Sequence, residues 1–413
     1  MNQYEDTIWI NYSKTLAGNP VEELLSRCPD LDPRNRRTIK VILANCYDAA
    51  RLGFKTDQTM YVAVRLGKDT FNFRKDYGQK HATYRRVKSS LKYLNEIGLI
   101  SQTTGFRDPV TNKGKATRIR LEASARVLFS GNSFIERLQS PPVLIKDSNK
   151  NLVKPNKFKS FRRLSNKVNN WNKSLETHNF SINESITSFI YQVVSLLGRN
   201  EKSSIDYSQF SSYFGKGNPI KLQRIFNDGS VKKGGRIYTD LQNIKKELRA
   251  AIRINGAQTI EKDYSNLHAR MLYNKLGQNP VGDLYQTEKH SRKALKTAFS
   301  TAINTSSRLQ AENALRSWLK PSNRPNSRAV DLLDWLELNH SALLPFFYKQ
   351  VGLGLMFEES LMTTFVLDYF ISKGEAVLPI HDSFVVRKEF ESELVSVMDQ
   401  AYQKQNGFKC AIA

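Results

Sequence analysis

The sequence predicts an α+β protein with two folded regions joined by a basic stretch. Between about residues 30 and 121, helical and strand patterns alternate at short intervals, and regular helical periodicity returns after about residue 182. A stretch rich in Lys, Arg and Asn lies between them. A chain of 413 residues is long enough for two or three domains that each bury a core. We therefore predict domains at 1–130 and 181–413, with 131–180 as a basic linker.

The clearest helix of the N-terminal region is predicted at 84–97. Its apolar residues recur every three or four positions and form one face, which ends at Gly98. A helix around Ile39–Leu43 precedes it, and two short strands joined by a loop rich in Gly, Pro and Asn follow it. The opposite face of the second helix carries the cations Arg85, Arg86, Lys88 and Lys92.

This order of two helices and a basic hairpin resembles the winged helix-turn-helix modules of replication initiators and regulators. In such modules the second helix enters the major groove and the wing touches the phosphate backbone. The resemblance implies that the four cations contact DNA, because helix and wing are basic together. A charged face that is only solvated is the alternative.

The stretch Lys146–Lys173 is predicted as a linker or an exposed helix that could follow a phosphate backbone. Its aromatic residues Phe158, Phe161 and Trp171 interleave with cations, as stacking surfaces for nucleic acids do. A solvated run of charges explains the composition equally well.

The charge balance indicates a polyanionic partner. The chain has 63 Lys and Arg against 39 Asp and Glu, a formal net charge of +24. No run of about 18 apolar residues occurs, and the N-terminus lacks a basic-then-apolar signal. We therefore expect a cytoplasmic protein with no membrane partner. The three cysteines lack CxxC spacing, which argues against a zinc site or a disulfide framework.

Two aspartates lie at predicted strand ends. Asp263 follows the strand-like segment TIEKD and precedes a helical pattern that ends at Gly277. Asp382 lies with His381 in a predicted hairpin turn between AVLPI and SFVVRK, and this turn lacks the Gly or Asn that two-residue hairpins prefer. Either aspartate alone is explained as a capping or turn residue. Together they are what a pair of Mg²⁺ ions, roughly 3.5 to 4 Å apart, needs for in-line phosphoryl transfer.

A basic helix, RKALKTAFSTAIN, is predicted between the two aspartates. Arg292 and Lys296 project from one face because they are one helical turn apart, so they can hold successive phosphates of a nucleotide. Asn304 continues that side, where a base or ribose would lie. A solvated basic helix is the alternative, and the position between two such aspartates favours the phosphate-binding reading.

Four ordered segments resemble the family A DNA polymerases and the related single-subunit phage-type RNA polymerases. DYSNLH, the Arg and Lys of RKALK, and HDS are similar to motifs A, B and C, and GGRIYTDLQNIKKELRAAI is similar to the segment upstream of motif A. The similarity covers roughly residues 224–389. It implies a right-hand palm and fingers, a reduced thumb within 182–224 and no proofreading exonuclease.

The resemblance also implies the site residues. Asp263, Asp382 and Lys296 would be catalytic, and the two carboxylates would bind two Mg²⁺ ions, for which Mn²⁺ can substitute. The nucleotide would be contacted by Arg292, Lys296, His268, Tyr264 and Asn304. The primer and template would be contacted by Arg236, Gln242 and His381. The implied reaction is attack of a 3′-hydroxyl on the α-phosphate, with release of pyrophosphate.

Three positions depart from the family pattern and leave the sugar open. His268 stands where DNA polymerases carry Glu, Asn304 stands where motif B has Tyr, and Ser383 matches the phage-type RNA polymerases. A bulky His268 could exclude a ribose 2′-hydroxyl, which favours deoxynucleotides. The missing Glu and Ser383 favour ribonucleotides.

Three hypotheses follow. The leading one is a small DNA polymerase that replicates or primes the DNA of a virus, plasmid or other mobile element, with template, primer, nucleoside triphosphates and a helicase or priming protein as partners. The second is a primase or RNA polymerase that uses ribonucleotides. The third, from another class, is a non-catalytic DNA-binding replication initiator, against which the retained aspartates and cations argue.

Overall fold

The computed structural model describes residues 7–12, 14–28, 31–56, 59–107, 114–129, 133–137, 141–183, 220–244, 246–319 and 328–413. These residues form a mixed α and β protein, as the sequence predicts. They fall into two compact units, divided at Ser165 and Asn166. The predicted thumb segment lies almost entirely in 184–219, outside the described residues.

The N-terminal unit is built around a four-stranded sheet in the order β1-β3-β7-β4. The strands are β1 (Thr7–Trp9), β3 (Tyr61–Val64), β4 (Ile100–Thr103) and β7 (Thr117–Leu121). Strand β1 pairs with β3 in parallel, and the other two pairings are antiparallel. The unit also contains two short antiparallel pairs: β2 (Lys14–Ala17) with β8 (Phe134–Arg137), and β5 (Phe106–Arg107) with β6 (Gly114–Lys115). The segment β9 (Val143–Ile145) follows them.

Three helices complete this unit: α1 (Asn19–Ser26), α2 (Arg36–Thr56) and α3 (Tyr84–Glu96). Val87, Leu91 and Leu94 of α3 are buried in one core with Val62 of β3 and Ile119 of β7. The predicted apolar face of this helix is therefore confirmed. Gly98 follows it with φ of +70°, in the left-handed region where a residue without Cβ is least strained.

Helix α4 (Phe161–Leu175) occupies much of the predicted basic linker, and the division between the units falls within it. Trp171 is 2% exposed, and its indole N–H donates to Asp368 at 2.9 Å. Asn172 exchanges two hydrogen bonds with the backbone of Leu222. The reading of Trp171 as an exposed stacking surface is therefore wrong, because periodic apolar residues bury one face of this helix.

The C-terminal unit contains a five-stranded antiparallel sheet in the order β10-β13-β14-β16-β15. Its strands are β10 (Phe180–Ile182), β13 (Ile252–Ile254), β14 (Ala257–Asp263), β15 (Leu378–Ile380) and β16 (Ser383–Arg387). A separate hairpin pairs β11 (Gln223–Phe226) with β12 (Gly234–Tyr238).

The helices of this unit after α4 are α5 (Lys246–Arg249), α6 (Leu267–Lys275), α7 (Arg292–Asn304), α8 (Arg308–Leu319), α9 (Ala329–Asn339), α10 (Gly352–Ser372) and α11 (Glu391–Asn406). Helices α7, α8 and α9 pack on one another, and α10 packs on strand β12 and on α11. Strand β14 ends at Asp263, opposite Ser383 at the start of β16, so Asp263 lies beside the turn that holds Asp382.

Candidate active site

Asp263 is the last residue of strand β14, and its backbone is held on both sides. Its Cα lies opposite Ser383, the first residue of β16. On its other side, the Asp263 N–H donates to the Ala413 oxygen at 3.1 Å, and the Ala413 N–H donates back at 2.9 Å. The N–H of Ser265 donates to Ala411 at 2.9 Å. Residues 411–413 therefore act as a short extra strand that fixes the backbone at Asp263.

Asp382 lies in the two-residue turn between β15 and β16, as predicted, because Ile380 and Ser383 pair directly. His381 has φ of +57°, a conformation that costs a non-glycine residue energy. The Asp382 carbonyl accepts from the N–H of Tyr264 at 3.3 Å, which ties the turn to the end of β14. A strained turn is thus held beside Asp263.

The two carboxylates interact electrostatically. Burial, and then the charge of Asp382, raise the pKa of Asp263 to about 7, while the cation of Lys296 acts in the opposite direction. Among the described residues, the Asp263 Oδ1 atom is buried without a hydrogen-bond partner. A buried carboxylate oxygen beside a second carboxylate is costly unless a cation compensates it. These donors fit a hard divalent cation, which prefers carboxylate oxygens.

Helix α7 presents the predicted phosphate-binding cations. The helix begins after Ser291, whose hydroxyl accepts from the Ala294 N–H at 3.2 Å and so caps it. Arg292 is exposed and donates to Asp283 at 2.5 Å and to Asn266 at 3.2 Å. Lys296 is exposed one turn later, and its charge acts on Asp263. Both cations therefore lie on the solvent side of the helix, and the Lys296 charge is felt at Asp263.

Asn304 ends helix α7 and is exposed, with its amide donating to the Ser300 carbonyl at 2.8 Å. Its side chain approaches Gly352 so closely that a Cβ there would lie 2.0 Å from Asn304 Oδ1. Gly352, the first residue of α10, is therefore needed for this close approach.

Arg236 and His268 meet on one buried carboxylate that the sequence did not single out. Glu359 of helix α10 is 2% exposed and accepts two hydrogen bonds from the Arg236 guanidinium, at 2.8 and 2.6 Å. The Nε2 atom of His268 lies 2.9 Å from the same carboxylate. Although burial pushes the pKa of Glu359 up, hydrogen bonds from His268 and the charge of Arg236 hold it below its usual range.

His381 belongs to the same electrostatic neighbourhood. Desolvation, followed by the charge of Arg236, lowers the pKa of the His381 imidazole. Burial lowers the pKa of the Arg236 guanidinium. The carboxylate of Glu359 and, to a smaller extent, that of Asp382 act in the opposite direction, and the pKa of Arg236 ends above its usual range. The structure therefore brings Arg236, His268 and His381 together near Asp382.

A second ion pair supports the strand that carries Asp263. Arg249 of α5 donates to Glu261 at 2.8 and 2.6 Å. The Ser383 hydroxyl lies 2.8 Å from the same carboxylate and 3.0 Å from the Ile380 carbonyl. The Ser383 side chain therefore braces β14 against the hairpin.

Two further predicted residues have structural partners. The Gln242 amide donates to the Ile237 carbonyl at 3.0 Å. Tyr264 is 3% exposed, its hydroxyl donates to the Met398 carbonyl at 2.7 Å, and its ring packs against Phe384. Because the Tyr264 ring lies in the core, protein groups and not a nucleotide occupy the surroundings of its side chain.

The predicted DNA-contacting cations lie on helix α3 of the N-terminal unit. Arg85, Lys88 and Lys92 are exposed, whereas Arg86 is partly buried and donates to the Lys80 carbonyl at 3.0 Å. Lys92 lies 3.6 Å from Glu96, one turn further along the helix. A surface pair of this kind contributes little to stability, so Lys92 remains available to an anion.

Glu359, Arg249 and the 411–413 segment are the parts of the site that sequence reasoning missed. A signal existed for Glu359, because it is an acidic residue inside a long apolar helix. None existed for residues 411–413, whose pairing depends on chain segments far apart in sequence.

In the described ranges, no group of three or more His, Cys, Asp or Glu is arranged to hold a metal ion. Two carboxylates with remaining positions filled by water and substrate phosphate are nonetheless the usual way that proteins bind Mg²⁺. Among the helices described, none has the length and apolar character that a membrane span requires. Comparison with protein-family models and with curated proteins finds no match to the chain.

Proposed function

We propose that the chain is a template-directed nucleotidyltransferase, a small DNA polymerase that resembles family A in its palm and fingers and carries an N-terminal winged helix module. The observation that carries the proposal is the placement of Asp263 at the end of β14 beside the turn that holds Asp382, with one Asp263 oxygen buried and without a described partner. A bound cation would compensate this oxygen.

Asp263 and Asp382 would hold two Mg²⁺ ions, or Mn²⁺ in their place. When bound, these ions neutralise charge on the reacting phosphate and favour ionisation of the attacking hydroxyl. Arg236 and His381, which share an electrostatic neighbourhood with Asp382, would hold the primer end.

Lys296 and Arg292 would bind the triphosphate from the exposed face of α7. Their positive charges stabilise the negative charge that builds up on the phosphates as the bond to pyrophosphate breaks. In the absence of substrate, the Lys296 charge also favours the ionised form of Asp263. One cation thus serves both the carboxylates and the phosphates in this proposal.

Two residues bear on the choice between deoxynucleotides and ribonucleotides. The Nε2 atom of His268 lies 2.9 Å from Glu359, and this contact orients the imidazole, which supports a role as a gate against the ribose 2′-hydroxyl. The Ser383 hydroxyl is directed at Glu261 and Ile380. Because residue 383 is a serine and not a glutamate, Asp382 has no second carboxylate beside it in the sequence. The phage-type RNA polymerases share this pattern, so Ser383 is compatible with a primase or RNA polymerase.

The test is nucleotide incorporation by the purified chain on primed and unprimed templates, with labelled deoxynucleotides or ribonucleotides. We expect Asp263→Ala and Asp382→Ala each to lower incorporation by about 10⁴-fold or more, because each removes a group that acts on the reacting phosphate. DNA binding should change little. The control is Asp331→Ala, which removes a partly exposed carboxylate of helix α9 that pairs with Arg328.

Nucleotide incorporation at the wild-type level by either aspartate variant would contradict the proposed polymerase activity. Products on unprimed templates with ribonucleotides would favour a primase or RNA polymerase. Strong DNA binding by the wild-type chain with no incorporation in Mg²⁺ or Mn²⁺ would favour a non-catalytic replication initiator. The setting that fits a polymerase fused to a DNA reader is replication of a virus, plasmid or mobile element, where the fusion raises the local concentration of one template.

A further inference from the structure

The outer face of the four-stranded sheet in the N-terminal unit differs from its inner face. Side chains of paired residues point to the same side of a sheet and alternate along each strand. The inner side carries Val62, Val64 and Ile119, all fully buried in the core that α2 and α3 complete. By the register, the outer side carries Thr7, Trp9, Tyr61, Ala63, Ser101, Thr103, Arg118 and Arg120.

Two aromatic rings on this outer face are each contacted by an arginine. The Arg65 guanidinium lies 4.6 Å from the centre of the Trp9 ring, and the Arg118 guanidinium lies 4.8 Å from the centre of the Tyr61 ring. Both distances fall within the range of cation–π attraction. Trp9 is nevertheless 45% exposed, so much of the largest side chain on this sheet faces solvent.

A further arginine borders the Tyr61–Arg118 pair. Arg120 lies two positions after Arg118 on β7, and its guanidinium donates to the Ser101 hydroxyl at 3.0 Å.

Aromatic rings that alternate with arginines match the chemistry of a single nucleic-acid strand. Unpaired bases stack on aromatic rings in a sequence-tolerant way, and cations beside them bind the phosphates. A duplex offers the same phosphates, but its bases are already stacked on one another and cannot lie on a flat sheet. The face is also separate from the exposed cations of α3, because α3 packs against the inner side.

We propose that the outer face of this sheet binds single-stranded nucleic acid, with bases stacked on Trp9 and Tyr61 and phosphates held by Arg65, Arg118 and Arg120. The site is distinct from the carboxylate pair of the other unit. It does not rest on the nucleotidyltransferase activity, since it predicts binding without any incorporation.

The first test is photocrosslinking of the full-length chain to oligothymidylate, or oligouridylate, that contains 5-iodouracil, followed by peptide mapping. Iodouracil couples to aromatic side chains that stack on it, so we expect crosslinks at Trp9 and Tyr61. The DNA and RNA arms tell which strand is preferred. Crosslinks found only in the C-terminal unit or on α3 would overturn the proposal. The assay contains no nucleoside triphosphates, so crosslinking does not require polymerase activity. The result is therefore the same whether or not the chain is a polymerase.

The second test is affinity for the same oligonucleotides by fluorescence anisotropy. Trp9→Ala and Tyr61→Ala should each weaken binding about tenfold, whereas Trp9→Phe should lose less. Arg65→Ala and Arg118→Ala should each reduce the slope of log affinity against log salt by about 0.7. These arginine variants keep the test valid if removal of Trp9 unfolds the unit.

The matched controls are Phe106→Ala, an aromatic residue 62% exposed on the separate β5–β6 hairpin, and Arg34→Ala, an exposed arginine whose guanidinium pairs with Asp32 at 3.0 Å. Both should bind the single strand as the wild-type chain does. Unchanged affinity and salt slope in all the sheet variants, or equal losses in sheet and control variants, would contradict the proposal.

Discussion

Glu359 is a buried carboxylate on which two residues of the candidate site converge. Its two oxygens accept from Arg236 and contact His268, so one side chain orients a cation and an imidazole at once. A buried charge with well-made hydrogen bonds is most costly to disturb when one partner is removed and the other is left unpaired. Glu359 therefore acts as a positioning residue in the proposed mechanism.

We expect Glu359→Gln to weaken the hold on Arg236 and His268, because a neutral amide accepts fewer and weaker hydrogen bonds than a carboxylate. The value of kcat/KM for incorporation should fall by roughly ten- to a hundredfold, and discrimination between deoxynucleotides and ribonucleotides should decrease. Steady-state kinetics with both nucleotide types measures this.

The matched control is Glu358→Gln, since this neighbouring carboxylate pairs with Lys275 at 2.7 Å instead. A purely structural role for Glu359 would lower activity with both sugars by the same factor. That outcome would contradict the assignment of Glu359 to sugar selection through His268.

The raised pKa of Asp263 predicts how stability depends on pH without divalent cations. In the unfolded chain this carboxyl loses its proton at about pH 4, whereas in the folded chain its pKa is about 7. The folded state therefore binds the proton more tightly, and the free energy of unfolding falls as the pH rises from about 4 to above 7. Asp263→Asn removes the titration. We expect this variant to melt a few degrees above the wild-type chain at pH 8 and close to it at pH 5.

Thermal unfolding in buffer with a chelator measures this difference. Added Mg²⁺ should narrow it at pH 8, because the cation stabilises the ionised wild-type site. An Asp263→Asn variant that melts below the wild-type chain at pH 8 in chelator would show that the carboxylate is not destabilised there.

At the scale of elements, the backbone at Asp263 depends on a three-strand arrangement: β14 in the centre, β16 on one side and residues 411–413 on the other. Strand pairing on both sides fixes a side chain more firmly than a free strand end does. The strained His381 turn is then held in register by the Tyr264 bond to Asp382.

Ala413→Pro tests the contribution of the terminal pairing. Proline has no N–H, so the bond to the Asp263 carbonyl is lost while the rest of the chain is unchanged. We expect incorporation to fall by about tenfold, with a decrease of about 1 kcal/mol in the free energy of unfolding. The control is Ala411→Pro, whose lost N–H takes no part in the bonds to Asp263 and Ser265. Equal activity of Ala413→Pro and the wild-type chain would show that the pairing is dispensable.

At the scale of the whole molecule, two units carry the two proposed kinds of contact. The exposed cations of α3 belong to the N-terminal unit, and the carboxylate pair belongs to the C-terminal unit. The net charge of +24 favours nucleic-acid binding by the whole chain. Mutations in one unit should therefore change one activity and spare the other.

We expect the double variant Arg85→Ala, Lys88→Ala to bind duplex DNA about tenfold more weakly and to lower the slope of log affinity against log salt by about 2, because two phosphate contacts are lost. Incorporation on a saturating primed template should be unchanged. Salt titrations by anisotropy and primer extension measure the two effects. If this variant binds duplex DNA as tightly as the wild-type chain, α3 does not contact DNA.

Much of the candidate site could be predicted because its signals are local. Helix α3, the hairpin turn at Asp382 and the basic face of α7 each follow from residues close together in sequence. The stretch predicted as a linker or an exposed helix shows the limit of composition as a signal: the segment is polar, but Val168, Trp171 and Leu175 repeat at helical spacing and bury one face of α4. Periodicity, where present, was a better guide than composition.

The sequence by itself determined the α+β class, the apolar face of α3 and the placement of Asp263 and Asp382 at a strand end and a turn, because periodicity and turn chemistry act over a few residues. Only the tertiary structure decided that Glu359 joins Arg236 to His268, that residues 411–413 pair with Asp263, and that Trp9 and Tyr61 share the outer face of one sheet. Those contacts join segments far apart in the chain. They depend on strand order and helix packing, which local patterns do not encode.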